Sequence, residues 1–281
     1  MELKKFYTAK NPNTPSKTLA ELAKDESLDI RKAVAGNPNT SPETLAKLAK
    51  EKDKDVCILI AENPNTSPET LTELTKSEGW GIHMAVANNP NTPPESLAEL
   101  AKDESLDIRK AVARNPNTPP ETLAELAKDK DKSVCIAAVK NPNTPPETLA
   151  ELTKSEGWGV HMAVANNPNT PPETLAELAK DEIWVIRMAV AGNPNTPPEV
   201  LIKLAKDEEL YVRTKTTENP NYITLIASLS NLLDEDESDV NEDTVPHTHK
   251  EPKELLAEKQ SANRAENESK HNISSVDDYI R

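Results

Sequence analysis

The chain has 281 residues and a formal net charge of −15, from 33 Lys and Arg against 48 Asp and Glu. This acidity argues against a broad nucleic-acid-binding surface, which needs Lys and Arg to neutralise phosphates. Hydrophobic residues make up 35% of the chain and aromatic residues only 3%, so a large aromatic globular core is not expected.

The first ten residues contain no apolar run of the kind found in a secretory signal peptide. No later stretch approaches the ~20 apolar residues of a membrane span. We therefore expect a cytoplasmic protein with no membrane partner. Residues 1–10 align with the second half of the repeat described next, with Phe6 and Tyr7 as larger side chains, and are predicted to form an N-terminal cap.

The tripeptide Asn-Pro-Asn recurs every 26 residues without an insertion or a deletion, so residues 11–218 form eight full repeats. Such regularity is typical of a solenoid, in which each unit packs only on its neighbours. The tripeptides begin at Asn11, Asn37, Asn63, Asn89, Asn115, Asn141, Asn167, Asn193 and Asn219.

Each repeat begins with the pattern of an amphipathic helix. Thr-Pro-Pro-Glu or Thr-Ser-Pro-Glu predicts a helix start in which Thr caps the helix and Pro occupies the first turn. Glu completes a capping box, as from Thr92 to Glu95. Leu97, Leu100 and Ala101 follow with the three-and-four spacing of a buried helical stripe.

A polar turn leads to a second, shorter predicted helix, for example residues 107–113, with Ile108, Ala111 and Val112 on its apolar face. Gly, Asn or a charged residue ends this helix, and the next Asn-Pro stops it. Its first core position is β-branched in every repeat: Ile30, Val56, Ile82, Ile108, Val134, Val160, Ile186 and Val212.

The repeat pattern degenerates after Asn219. Apolar residues such as Tyr222, Leu225 and Leu229 predict a C-terminal capping helix over residues 219–233, since the terminal repeats of solenoids are usually atypical. Residues 234–281 are polar and charged and cannot bury enough surface to offset their ordering entropy. They are predicted to form a disordered acidic tail.

The repeat resembles the variant leucine-rich repeat family. This resemblance implies an all-α, right-handed superhelix in which an α-helix alternates with a short or 3₁₀ helix, and it brings no catalytic activity. Some members hold an iron–sulfur centre on an N-terminal cysteine cluster, but no Cys precedes Cys57 here, so we expect no cofactor. The matching residues are Ile30, Arg31, Val34, Ala35, Asn37, Pro38, Thr40, Leu45, Leu48 and Ala49.

Two positions of the second helix, three residues apart, vary most between repeats and share one helix face. A block of 78 residues recurs, so the pair Trp80 and His83 returns as Trp158 and His161. Trp and Arg are frequent interface hot spots. The stripe therefore predicts a protein or peptide partner along one face, with self-association as a variant. The candidate residues are Trp80, His83, Trp158, His161, Trp184, Arg187, Arg31, Arg109 and Arg213.

The same stripe also has an interpretation in packing. The arginines could bridge repeats through acidic neighbours such as Asp29 or Asp107. Trp80 and Trp158 could fill the space left by the glycines that flank them. The sequence leaves both interpretations open.

We expect no enzymatic activity, because the chain has no phosphate-binding glycine loop, no Gly-x-Ser-x-Gly and no His-Glu-x-x-His motif. Nucleic-acid binding at one base per repeat is an alternative function that would require a more basic face. A metal- or redox-linked role of the Cys and His residues is a third. Cys57 and Cys135 lie three repeats apart, ~25–30 Å in a regular solenoid, which is too far for a disulfide.

Overall fold

The structure, a computed structural model, describes residues 2–154 and 157–238, with side chains up to residue 231. Every regular element within these ranges is an α-helix, which confirms the predicted all-α fold. In chain order the helices are α1 (Glu2–Lys10), α2 (Ser16–Leu22), α3 (Leu28–Ala35), α4 (Pro42–Ala49), α5 (Lys54–Glu62), α6 (Pro68–Thr75), α7 (Trp80–Asn88), α8 (Pro94–Leu100), α9 (Leu106–Arg114), α10 (Pro120–Leu126), α11 (Lys132–Val139), α12 (Pro146–Leu152), α13 (Trp158–Asn166), α14 (Pro172–Leu178), α15 (Trp184–Gly192), α16 (Pro198–Leu204), α17 (Leu210–Thr217) and α18 (Pro220–Ser238).

Helices α2 to α17 form eight pairs, one in each 26-residue repeat. We call the first helix of a pair (even numbers) the A helix and the second (odd numbers) the B helix. A helices have seven or eight residues and B helices eight or nine, as in α8 and α9. The second helix is therefore the longer one and is α-helical, contrary to the expectation that it would be shorter.

The apolar stripes of both helices are buried as predicted. Leu97 and Leu100 in α8, and Ile108 and Val112 in α9, have exposures of 3% or less. Neighbouring B helices pack directly on one another, and each B helix also packs on the A helices beside it. Each repeat thus contributes one layer to a single apolar core that runs through all the repeats.

The first asparagine of each Asn-Pro-Asn turn joins its repeat to the one before. The side-chain Nδ2 of Asn115 donates to the carbonyls of Ala87 at 2.8 Å and Asn89 at 2.9 Å, both in the preceding repeat. Its Oδ1 accepts a hydrogen bond from the backbone N–H of Asn117 at 2.9 Å. Asn115 is 3% exposed, and buried carbonyls require such donors. A carboxamide supplies two donors and an acceptor from one short side chain.

The same two donated bonds recur at eight successive turns, always to the carbonyls 28 and 26 residues earlier. We call this series the asparagine ladder. The sequence analysis treated Asn-Pro only as a helix stop. The ladder residues are Asn37, Asn63, Asn89, Asn115, Asn141, Asn167, Asn193 and Asn219.

The threonine of the Asn-Pro-Asn-Thr turn does not cap the A helix, so that prediction is wrong. Thr118 is buried, and its hydroxyl donates to the Val112 carbonyl at 2.5 Å, which closes the end of the preceding B helix. The next residue occupies the N-cap position. It is Pro119 in this repeat, and Ser41 in α4, where the hydroxyl accepts from the backbone N–H of Thr44. The prediction that Pro occupies the first helical turn is confirmed.

Helices α1 and α18 flank the repeats. Helix α1 lies where the N-terminal cap is predicted and packs on α2 and α3. Helix α18 begins at Pro220 and continues to Ser238, five residues past the predicted end of the C-terminal cap. The repeats form one compact unit that ends at Ser228, and a second unit begins at Leu229. The rest of the predicted disordered tail, from residue 239, lies outside the described residues.

Removing one rung of the ladder should weaken the fold. Asn115→Ala leaves the buried carbonyls of Ala87 and Asn89 without these donors, so we expect the free energy of unfolding to fall by about 2–3 kcal/mol. Urea denaturation measures this loss. The matched control is Asn117→Ala, which removes the exposed second asparagine of the same turn and its bond to Pro90. An equal loss in both variants would contradict a special role for the buried asparagine.

Candidate partner-binding face

Both variable positions predicted from the sequence lie on the B helices, at the first and fourth helical residues. In α9 these residues are Leu106 and Arg109. The two positions differ sharply in exposure, since Leu106 is 41% exposed and Arg109 only 6%. They must therefore be considered separately.

Arg109 joins the turn of its own repeat to the turn of the next. Its Nη1 donates at 2.9 Å to the carbonyls of Asp103 and Glu104, just before α9. Its Nε and Nη2 donate to the two carboxylate oxygens of Asp129, at 2.7 and 3.2 Å, in the corresponding turn of the following repeat. Such a bidentate pair fixes both distance and orientation. The hydrogen bond from Arg109 holds the pKa of Asp129 below its ordinary value.

The other arginines at this position bind in the same way. Arg31 and Arg187 each donate to two carbonyls of their own turn and to an acid of the next repeat, Glu51 or Asp207. Arg213 donates to the two carbonyls of its own turn. These guanidinium groups hold adjacent repeats together.

The acids in these pairs are not the ones that the sequence suggested. Asp29 and Asp107 are exposed on the B helices, whereas the partners of the arginines lie 20 residues further along the chain, in the next turn. A spacing of 20 residues places the acid in the neighbouring layer, beside the guanidinium. The prediction of bridging through Asp29 or Asp107 is therefore wrong in its partners.

His83 and His161 take the place of arginine in two repeats. The Nδ1 of His83 lies 3.0 Å from a carboxylate oxygen of Asp103, and its Nε2 lies 2.8 Å from the carbonyl oxygen of Ser77. Both partners accept hydrogen bonds, so the ring satisfies both only when it carries two protons. His161 makes the corresponding 3.0 Å contact with Asp181. The predicted role of the Arg and His residues in partner binding stays a prediction.

Cys57 and Cys135 occupy the same position in the remaining two repeats. Both are buried and free, and burial raises the pKa of each thiol. The residue 20 positions after Cys57 is Ser77 rather than an acid. Nowhere in the described ranges do three metal-ligating side chains gather into a group. The metal- or redox-linked function stays a prediction.

The tryptophans at the first position are the most exposed large side chains of the B helices. Trp80 is 58% exposed and Trp158 is 55% exposed. The indole N–H of Trp80 donates to the hydroxyl of Ser105 in the next repeat at 3.2 Å. Trp184 is half-buried and stacks on Tyr211, with ring centroids 5.5 Å apart.

The space beside the flanking glycines is occupied by isoleucines of the preceding repeat. A Cβ atom at Gly81 would lie 2.8 Å from Cδ1 of Ile58, and one at Gly159 would lie 3.3 Å from Cδ1 of Ile136. The prediction that Trp80 and Trp158 fill this space is therefore wrong. The glycines let neighbouring B helices approach closely, and the indoles project outside the core.

A methionine stands four residues after each tryptophan, and the sequence analysis missed it. Met84, Met162 and Met188 lie on the same helical face as the indoles and are partly buried against the core. A groove of about 410 Å³ beside Trp80 is lined by Ile58, Met84 and other residues. The four-residue spacing could have revealed this column. We call the exposed surface of the B helices from α7 to α15 the B face.

If the indoles lie outside the core, their removal should cost little stability. We expect Trp80→Ala and Trp158→Ala to lower the free energy of unfolding by less than about 1 kcal/mol each. Ile82→Ala, at a buried site two residues after Trp80, should lower it by about 2–4 kcal/mol. Thermal or urea denaturation gives these values. A loss at Trp80 as large as that at Ile82 would make the indole a packing residue.

The Arg109–Asp129 pair should make stability depend on acidity. The folded-state pKa of Asp129 is lowered, so its contribution is fully present above the ordinary Asp value of about 3.9. It is lost as the pH falls through the folded-state pKa. Asp129→Asn should therefore cost about 2 kcal/mol at pH 7 and progressively less toward pH 3. The exposed Asp107→Asn serves as the control in urea denaturation. A pH-independent cost at Asp129 would contradict the ion pair.

Comparisons with known proteins agree with this architecture. Among solved structures, the chain is similar in fold to one described as a leucine-rich repeat variant with a novel repetitive protein structural motif. The identity is 23% and the TM-score 0.52, over 72% of this chain and 80% of that one. Two engineered proteins match at 17% and 18% identity with TM-scores of 0.36 and 0.24. The match covers 75% of this chain and 72% of the first, and 72% of this chain and 93% of the second. No curated protein matches the chain.

Within the described residues, no helix combines the length and apolar character needed to cross a bilayer. The model of the Leucine Rich Repeat Variant domain matches residues 6–57, 82–134 and 160–210, which together make up more than half of the chain. Each matched segment includes B helices and the Asn-Pro-Asn turns of the ladder. The chain therefore belongs to the leucine-rich repeat variant family.

Proposed function

We propose that the protein is a non-catalytic scaffold that binds a protein or peptide partner on its B face. The observation that carries this proposal is the exposure of Trp80 and Trp158 at equivalent positions of an otherwise well-packed array. A soluble protein gains nothing in stability from an indole in water, whereas buried tryptophans dominate the energetics of interfaces.

The surroundings of the indoles also suit a protein or peptide ligand. Met84 and Ile58 border the groove beside Trp80. Methionine is flexible and polarizable, so a surface that contains it adapts to side chains of different shape. The B helices that carry these residues are held in place by the asparagine ladder and the Arg and His contacts. The face is thus rigid in its backbone and adaptable in its side chains, as a peptide-binding groove requires.

A selection from random peptides tests the proposal. A phage-displayed library of random 16-residue peptides is panned against the full chain, and enriched peptides are synthesised. We expect a Trp80→Ala, Trp158→Ala double variant to bind these peptides at least about tenfold more weakly, because each indole acts as an anchor. Fluorescence anisotropy measures the affinities.

The matched control is Leu106→Ala, which truncates the exposed residue at the same position of α9. It should change the affinity by less than about twofold, since scattered exposed residues contribute little to an interface. Failure to enrich any peptide over an empty support, or equal binding by the double variant, would contradict the proposal.

A further inference from the structure

The charge on the B face is opposite in sign to the charge of the chain. Between Trp80 and Trp158, the outward-facing residues of α9 and α11 and of the position after α11 include Lys110, Arg114, Lys132 and Lys140, against the single acid Asp107. This part of the surface therefore carries a net positive charge, although the whole chain carries −15.

The four cations are not used inside the molecule. Among the described residues, no carboxylate forms an ion pair with Lys110, Arg114, Lys132 or Lys140, whereas the corresponding Lys32 in the first repeat pairs with Asp55. Three of the four are exposed and Lys110 is half-buried. Their charge is therefore available to a ligand.

The negative charge of the same repeats lies on the A helices. Helices α8, α10, α12 and α14 each carry two exposed glutamates, such as Glu95 and Glu99 in α8. On the other side of Trp80, the second repeat presents Asp55 and Glu62 on its B helix, and Glu62 lines the outer end of the Trp80 groove. The cations thus form an isolated basic segment with an apolar cluster at each end.

We infer that the B face binds an acidic peptide segment that has an apolar side chain at each end. This inference rests on the proposed function and specifies the partner. The apolar ends would contact Trp80 with Met84, and Trp158 with Met162. The acidic middle would face Lys110, Arg114, Lys132 and Lys140. Complementary charge of this kind contributes specificity and a faster association rate.

The spacing of the two clusters sets the length of the segment. Helices α7 and α13 are three B-helix layers apart, which is ~24–30 Å at ~8–10 Å per layer. An extended peptide rises ~3.3 Å per residue, so its two apolar side chains would be about eight residues apart. The acidic turns that border the B face, at Asp103, Glu104 and Asp129, oppose a nucleic-acid strand, which carries a charge at every phosphate.

Three synthetic 14-residue peptide libraries test the inference with the full chain. All have Leu, Phe or Trp at positions 3 and 11, and the positions between them are drawn from Asp, Glu and Ser, from Lys, Arg and Ser, or from Ser and Asn alone. A single-stranded (dT)20 is the fourth probe. We expect the acidic library to bind at least about tenfold more tightly than the other two, with an affinity that falls as salt rises.

A charge-neutral variant locates the effect. Replacing Lys110, Arg114, Lys132 and Lys140 by Gln should remove at least about tenfold of the affinity for the acidic library. The matched control neutralises the same number of charges elsewhere, at exposed lysines outside the B face: Lys17, Lys47, Lys102 and Lys180. This control should change the affinity by less than about twofold, because distant exposed charges are screened by salt.

The outcomes separate this inference from the proposed function. Equal binding of all three libraries, with loss in the Trp80→Ala, Trp158→Ala variant, would leave the proposed function standing and overturn the acidic partner. Binding of (dT)20 in preference to the acidic library would also overturn it, in favour of a nucleic acid. Equal losses in the two Gln variants would show that the four cations do not form the site.

Discussion

The asparagine ladder is the interaction on which the rest of this structure depends. Each ladder asparagine donates two hydrogen bonds to carbonyls of the preceding repeat, and its own backbone carbonyl accepts from the next ladder asparagine, as Asn89 does from Asn115. Because both acceptors are buried backbone groups, the turn can occupy only one register relative to its neighbour. An insertion in any repeat would break a rung and leave two carbonyls without donors. The constant 26-residue period follows from this requirement.

The ladder separates the parts of the repeat that hold the fold from the parts that are free to vary. The Asn-Pro-Asn-Thr turn and the Leu and Ile stripes close the core, and the fourth B-helix position links adjacent turns through Arg109 or its equivalents. The first B-helix position and the residues beside it have no such duty. They accommodate Leu, Lys or Trp at an equivalent place on the same backbone, so a binding surface can differ from repeat to repeat at little cost in stability. The isolated basic segment and the exposed indoles both lie at these free positions.

Much of the fold could be predicted from the sequence, because the period, the apolar spacing and the punctuating prolines are all local patterns. The buried Leu97 and Ile108 were identified this way. What the sequence did not reveal depends on contacts between layers. Thr118 resembles a helix cap in one dimension, but its hydroxyl lies against the Val112 carbonyl and the next residue is the N-cap. The acid that pairs with Arg109 is 20 residues away, and the exposure of Trp80 depends on Ile58 of the preceding repeat occupying the space above Gly81. These features follow from the distance between successive layers, which no local pattern encodes.

Hydrogen exchange of the asparagine side-chain amides tests the central role of the ladder most directly. NMR of the chain labelled with ¹⁵N at asparagine resolves each carboxamide. The account predicts that the side-chain amide hydrogens of Asn63, Asn89, Asn115 and the other buried ladder residues exchange far more slowly than those of the exposed second asparagines, such as Asn65 and Asn117. Slow exchange at every rung would show that the hydrogen bonds between repeats persist along the array. Equally fast exchange in the two classes would contradict the ladder as the element that fixes the repeats.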